Sequence, residues 1–182
     1  MLLASRLGPI ALPRPTHKKR HRTVKDEIGK LRPLAHGEID GSDPLHRASR
    51  LSALNLRRIV EAKPGGTWKD WNDRIVADCH KAKTGKGYSS VYGRMSWLEP
   101  SPTITTQFYG FGNGRFGHPE QNRGLSLREG ALLQGFPPDY EFVAPGERIE
   151  FTRIGQMIGN AVPVKLASSI ASAVSDHLER YT

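Results

Sequence analysis

The run Arg123-Gly124-Leu125-Ser126-Leu127-Arg128-Glu129-Gly130-Ala131-Leu132-Leu133-Gln134-Gly135-Phe136-Pro137 holds the densest structural information in the chain. Ser126 followed three residues later by Glu129 is the pattern of a reciprocal cap, in which the hydroxyl takes a backbone N–H and the carboxylate returns the bond. The spacing predicts a helix through Ala131, Leu132 and Leu133 that stops near Gly135, with Pro137-Pro138 beyond it. Further on, Gln156-Met157-Ile158-Gly159-Asn160-Ala161-Val162-Pro163 leads into a second helix. Pro163 fits a first-turn position, and Leu166, Ile170, Val174 and Leu178 recur every four residues, joined by Ala167 and Ala171. That narrow apolar stripe is expected to face a core.

The chain of 182 residues suffices for one domain with a core of its own, with or without a loose arm. Lys+Arg total 27 against 18 Asp+Glu, a formal charge of +9. Residues 1–60 carry 13 of these cations and 5 of the anions, so the excess sits in the first third. Such a balance predicts a polyanionic partner, nucleic acid first and an anionic membrane surface second. The single Cys excludes an internal disulfide and a multi-cysteine zinc site, and fits a reducing compartment. No metal site is expected, because the 7 histidines and Cys79 show no ligand spacing. No apolar stretch is expected to reach membrane-spanning length, and Met1-Leu2-Leu3-Ala4-Ser5 is broken by Arg6, Gly8 and Pro9. The sequence reads as soluble, with a cytoplasmic location.

Through Arg22 the chain mixes Pro9, Pro13 and Pro15 with the basic run Lys18-Lys19-Arg20-His21-Arg22, as an extended arm or linker would. The run suits phosphate contact, a localisation signal or plain solvation. Thr23 with Asp26 predicts a helix to about Leu31, before Pro33. A helix from Ser52 to about Glu61 would bury Leu51, Leu54, Leu56 and Ile59 and project Arg57-Arg58 to solvent or a phosphate. A third is expected from Trp68 to about Ala77. Tyr88 to Tyr92 and Thr103 to Tyr109 have the β-branched and aromatic content of strands. Gly110 to Gly117 reads as a flexible loop carrying Arg115; it lacks the Gly-Lys-Ser/Thr ending of a P-loop. Cys79, between Asp78 and His80, reads as a structural or incidental thiol.

The phrase Arg123–Pro137 resembles the ninth conserved block of DNA (cytosine-5-)-methyltransferases, and Gln156–Pro163 resembles their tenth and last, in matching order and spacing. The resemblance makes residues 6–122 the variable target-recognition region, in which Pro102-Thr103-Ile104-Thr105 is similar to the family's Thr-aliphatic feature near a Pro. Leu2-Leu3-Ala4-Ser5 resembles the tail of the strand after the eighth block. The division implied is an arm at 1–22 following the catalytic half, a recognition region at 23–122, and a helical segment at 123–182. The fold class implied is α+β: an irregular recognition lobe plus C-terminal helices that normally complete a doubly wound α/β methyltransferase domain.

The departures count as much. Methylation at carbon 5 of cytosine needs a thiolate that attacks carbon 6, an acid near N3, bound S-adenosylmethionine and a base rotated out of the duplex. The family's glycine-rich cofactor loop, Pro-Cys loop, Glu-Asn-Val segment and Arg-x-Arg segment do not occur among these residues, and Cys79 follows Asp rather than Pro. The resemblance therefore implies no catalytic residue here. It implies double-stranded DNA as substrate, with Arg94, Thr103, Ile104, Thr105 and Arg115 in contact with it. It implies a cofactor edge of Asn160, Ala161 and Val162, complete only with a catalytic-half polypeptide docked on the Leu166 to Leu178 stripe. Arg123, Arg128 and Glu129 are expected to be scaffold. The reading is the recognition and closing part of a split or truncated restriction-modification methyltransferase. The alternative is a non-enzymatic DNA-binding module or an inert gene remnant.

Overall fold

The computed structural model describes every residue except Met1, Thr16, Lys18, Lys19, Lys83, Gly85, Lys86, Tyr88 and Thr182. The basic run at Lys18-Lys19 and the expected strand start at Tyr88 thus lie outside the described residues. Helix α1 (Val24–Ile28) opens on the Thr23/Asp26 capping box and ends short of Leu31. Its first two amides donate to the carbonyls of Glu99 and Trp97, which fixes it against that stretch. Helix α2 (Ala53–Glu61) is capped by Ser52 and buries Ile59, whereas Leu54 points outward. The helix expected over Trp68–Ala77 forms only one 3-10 turn, Trp68–Asp70. Asn72 breaks it: its side-chain oxygen takes the Arg74 amide and its carbonyl the Ile75 amide. Helix α3 (Asp78–Lys81) follows.

The lobe is irregular, but the strands that an α+β class requires are not formed among the described residues. Residues 89–92 and 106–109 lie in turns, and pairing is limited to the isolated bridges Ile39–Arg47, Pro64–Arg94, Arg94–Gly117 and Gly117–Gly124. Pro64 has no N–H for a ladder. Gly117 packs so closely that an added Cβ would lie 3.0 Å from the Gly93 carbonyl. The aromatic and β-branched content that suggested strands serves burial instead: Ile104 and Phe108 enter the main core with Val24, Met95, Leu125, Leu127 and Ile154. A second core gathers Ile59, Trp68, Trp71 and Phe111. Phe111 and Phe116 are both buried, so the glycine-rich stretch is anchored, not loose.

Helix α4 (Leu127–Gln134) matches the expected helix closely. Ser126 and Glu129 close the capping box, and Gly135 ends the helix in the left-handed conformation at φ 93°. Helix α5 (Phe151–Gly159) buries Ile154, Gly155 and Ile158, and helix α6 (Val164–Leu178) follows Pro163. Phe151 to Leu178 together have the length and composition of a membrane-crossing segment, contrary to the expectation that none would. The backbone divides it into helices of 9 and 15 residues, and the first contributes to a protein core.

The chain forms two units, residues 22–161 and residues 1–21 with 162–182. The arm pairs with α6, where His177, buried, meets the Ser5 hydroxyl at 2.7 Å. Along the stripe, Leu166 and Leu178 are each 46% exposed and Ile170 and Val174 half-buried.

Candidate DNA and cofactor contacts

Arg94, expected at a phosphate, is 4% exposed. Its Nε donates to Ala62 O, Nη1 to His118 O and Gln121 O, and Nη2 to Ile59 O and Asn122 Oδ1. A guanidinium has five N–H donors, so none is left for DNA. All five acceptors are neutral, and burial without a carboxylate lowers the group's pKa. Arg94 ties α2's end to the 118–122 turn. Arg58 is also turned inward: Nε donates to Ile75 O, Nη1 to Asn55 Oδ1, and the guanidinium lies 5.5 and 5.2 Å from the Trp71 and Tyr92 ring centres. Arg57 and Arg115 are exposed.

A buried polar framework is built around Arg123. Arg123 bonds Leu34 O, Gly124 O, Gln121 Oε1 and both carboxylate oxygens of Glu129. Glu129 is held below its ordinary pKa, because the Arg123 guanidinium and the Ser126 amide outweigh a desolvation that by itself would raise it. His118 Nδ1 accepts from the Glu120 and Gln121 amides, and burial pushes this imidazole down to about 4. Ser126 Oγ, besides capping α4, meets His46 Nδ1 at 2.9 Å, while His46 Nε2 lies 2.8 Å from Arg32 O. Arg128 clasps Asp43 through Nε and Nη2 and donates from Nη1 to Tyr140 O. These contacts are structural. Neither His46 nor Asp43 stands out in the sequence, because their partners lie 80 and 85 positions away.

The Thr103–Thr105 segment alternates outward and inward. Thr103 and Thr105 are exposed, and Ile104, expected to touch DNA, is 2% exposed and anchors the segment in the core. After it, Phe108 fills a notch at Gly130 of α4, where an added Cβ would overlap its ring. Two glycines one turn apart on α5 receive the same backbone. A Cβ at Gly155 would fall 2.6 Å from Thr106 O, and one at Gly159 would overlap Thr106 N and the Thr105 carbonyl group. Gly159 is followed directly by Asn160, whose side chain is exposed, and by Ala161, whose carbonyl accepts from Gln134 Nε2. Val162 is 62% exposed. The fold thus brings Thr105 next to the backbone that carries Asn160 and Ala161; Arg115 leaves a different loop. The signal for this seam was in the sequence as the Gly155/Gly159 pair, whose partner only the structure supplies.

Asn160, at the end of α5, presents an exposed carboxamide. Among the described residues no group of three or more His, Cys, Asp or Glu could hold a metal ion. Cys79 is exposed and sits in α3.

Residues 8–176 match the C-5 cytosine-specific DNA methylases. The chain belongs to that family. The Herpetosiphon aurantiacus type II methylase M.HgiDII is 51% identical over 180 residues, covering 98% of this chain and 51% of that methylase. Type II methyltransferase M.AquIB of Picosynechococcus is 40% identical over 140 residues, 73% of this chain and 88% of that protein. DNA (cytosine-5)-methyltransferase 3 of Arabidopsis thaliana is 33% identical over 181 residues, 86% of this chain and 12% of that protein. The chain therefore spans about half the length of M.HgiDII and a smaller share of the plant enzyme.

Proposed function

We propose that this chain is the DNA-recognition and cofactor-closing part of a DNA (cytosine-5-)-methyltransferase, and that it works with a catalytic-half polypeptide. The observation that carries the reading is the pairing of a family match over residues 8–176 with a lone cysteine, Cys79, that follows Asp78 rather than a proline. M.AquIB supports a two-piece arrangement, since the matched part makes up 88% of a protein that is itself called a type II methyltransferase.

Thr103, Thr105 and Arg115 are exposed and would meet a duplex, the threonines at base edges or phosphates and the arginine at the phosphate backbone. Ile104 holds their segment in place, and Arg94 holds the loops behind it. Asn160 would donate or accept one hydrogen bond to the cofactor, with Ala161 and Val162 as its apolar side. S-adenosylmethionine, when bound, supplies the methyl group. The half-exposed stripe Leu166, Ile170, Val174 and Leu178 is apolar surface for the catalytic half to cover. A cytoplasmic setting, where DNA and the methyl donor meet, fits this reading.

The test is a covalent trap. A duplex containing 5-fluorocytosine, incubated with S-adenosylmethionine, should give a protein–DNA adduct only when a catalytic half is added, and that adduct should lie on the other polypeptide. An adduct on this chain without a helper would overturn the proposal.

A further inference from the structure

Gly159 stands at the join of two segments to which different ligands are assigned. On one side its Cα abuts the Thr105 carbonyl group and the Thr106 amide, backbone atoms that no side-chain rotation can move away. On the other it leads into Asn160 and Ala161. Gly155, one turn earlier, seats Thr106 O, and Phe108 is locked into Gly130. The far end of the loop is held as well, by Gln134 from α4. Residues 105–109, α4 and α5 are thus interlocked through close backbone approaches that only glycine permits, with Ile104, Phe108, Ile154 and Ile158 filling the space between them. A segment gripped this way cannot shift without carrying its neighbour.

We propose that Gly159 is a positioning residue that makes the DNA-facing Thr103–Thr105 segment and the cofactor-facing Asn160–Ala161 loop move as one body, so that duplex engagement sets the loop for S-adenosylmethionine. The inference rests on the functional reading above. By linkage the effect is reciprocal: whatever DNA does for the cofactor, the cofactor does for DNA.

Hydrogen exchange on the full chain, with and without excess duplex DNA, tests it. Asn160 N and Ala161 N donate to Gln156 O and Ile158 O, so their exchange reports opening of the loop. In the wild-type chain, DNA should slow exchange in 103–109 and in 159–161 together, each by at least about fivefold. In Gly159→Ala the recognition segment should still slow on DNA, while the loop returns to within about twofold of its free rate. Slowing of 103–109 alone in the wild type overturns the inference and leaves the functional reading standing. So does an equal response of both segments in a folded Gly159→Ala. If Gly159→Ala does not fold, the wild-type result and Gly155→Ala, expected to weaken the joint response, decide the matter. If wild type binds no duplex even with a catalytic half added, the functional reading falls, and this inference with it.

Discussion

Arg123 and Glu129 form a two-pronged ion pair, Nη1 to Oε2 and Nη2 to Oε1 each at 2.7 Å, with the residues 0% and 1% exposed. The same carboxylate oxygen Oε2 accepts the Ser126 amide, so the pair and the cap of α4 are one device. Replacing both partners by apolar groups could be neutral, but removing one strands the other in a dry interior. Arg123→Ala is expected to cost about 3–5 kcal/mol, measured by urea unfolding, and Glu129→Gln should also destabilise. Loss of less than about 1 kcal/mol in Arg123→Ala would show that the pair is not what holds α4 to the lobe.

His118 makes the fold acid-sensitive. Its ordinary pKa of 6.5 falls to about 4 through burial, and Nδ1 must stay unprotonated to accept two backbone amides. The unfolded chain therefore binds more protons than the folded one between pH 4 and 6.5, and stability rises with pH across that window. The contribution is complete above pH 6.5 and lost as pH falls through about 4, on the order of 3 kcal/mol in all. Unfolding curves at pH 4.5, 5.5 and 7, run beside His118→Gln, should show the slope in the wild type and a shallower one in the variant. The residual slope belongs to Glu129 and the other carboxylates.

Gly130 should tolerate no side chain while Phe108 is present. Gly130→Ala drives a methyl into the ring and is expected to cost about 1–3 kcal/mol. Trimming the ring in the double variant Gly130→Ala/Phe108→Leu should recover part of the loss relative to the sum of the single changes. Strict additivity in thermal or urea unfolding would contradict the packing.

Two arginines near each other in the fold should behave in opposite ways. Arg115→Ala, at an exposed position, should weaken DNA binding, reduce the salt slope by about 1, and leave the unfolding midpoint unchanged. Arg94→Ala should lower the midpoint, because five backbone and amide oxygens lose their donor, and should affect DNA only through the fold. Equal effects of the two on the salt slope would show that Arg94 reaches phosphate after all.

Local signals were legible and long-range ones were not. Ser126, Glu129, Gly135, Ser52 and Pro163 act within a few residues, and each marks an end that the structure keeps. The stretch Thr103–Tyr109 misled because β-branched and aromatic residues suit burial as well as pairing; Ile104 and Phe108 use them for the core. Arg94 and Arg58 misled because a charge in sequence says nothing of whether oxygens converge on it from distant turns. The stripe on α6 has the period of a core helix, yet Leu166 and Leu178 on it stay exposed. Of the candidate site, Thr103, Thr105, Arg115 and Asn160 are exposed, while the Gly159 contact with Thr105 could not be seen before the fold.

Labelled methyl transfer to duplex DNA decides whether this polypeptide needs a catalytic companion. Three samples are compared: this chain alone, the half of M.HgiDII that it does not span, and the two mixed, each with S-adenosylmethionine and a cytosine-containing duplex. Incorporation is expected in the mixture and in neither component alone. Incorporation by this chain alone, or none in a mixture whose components are folded and associate, would contradict the reading.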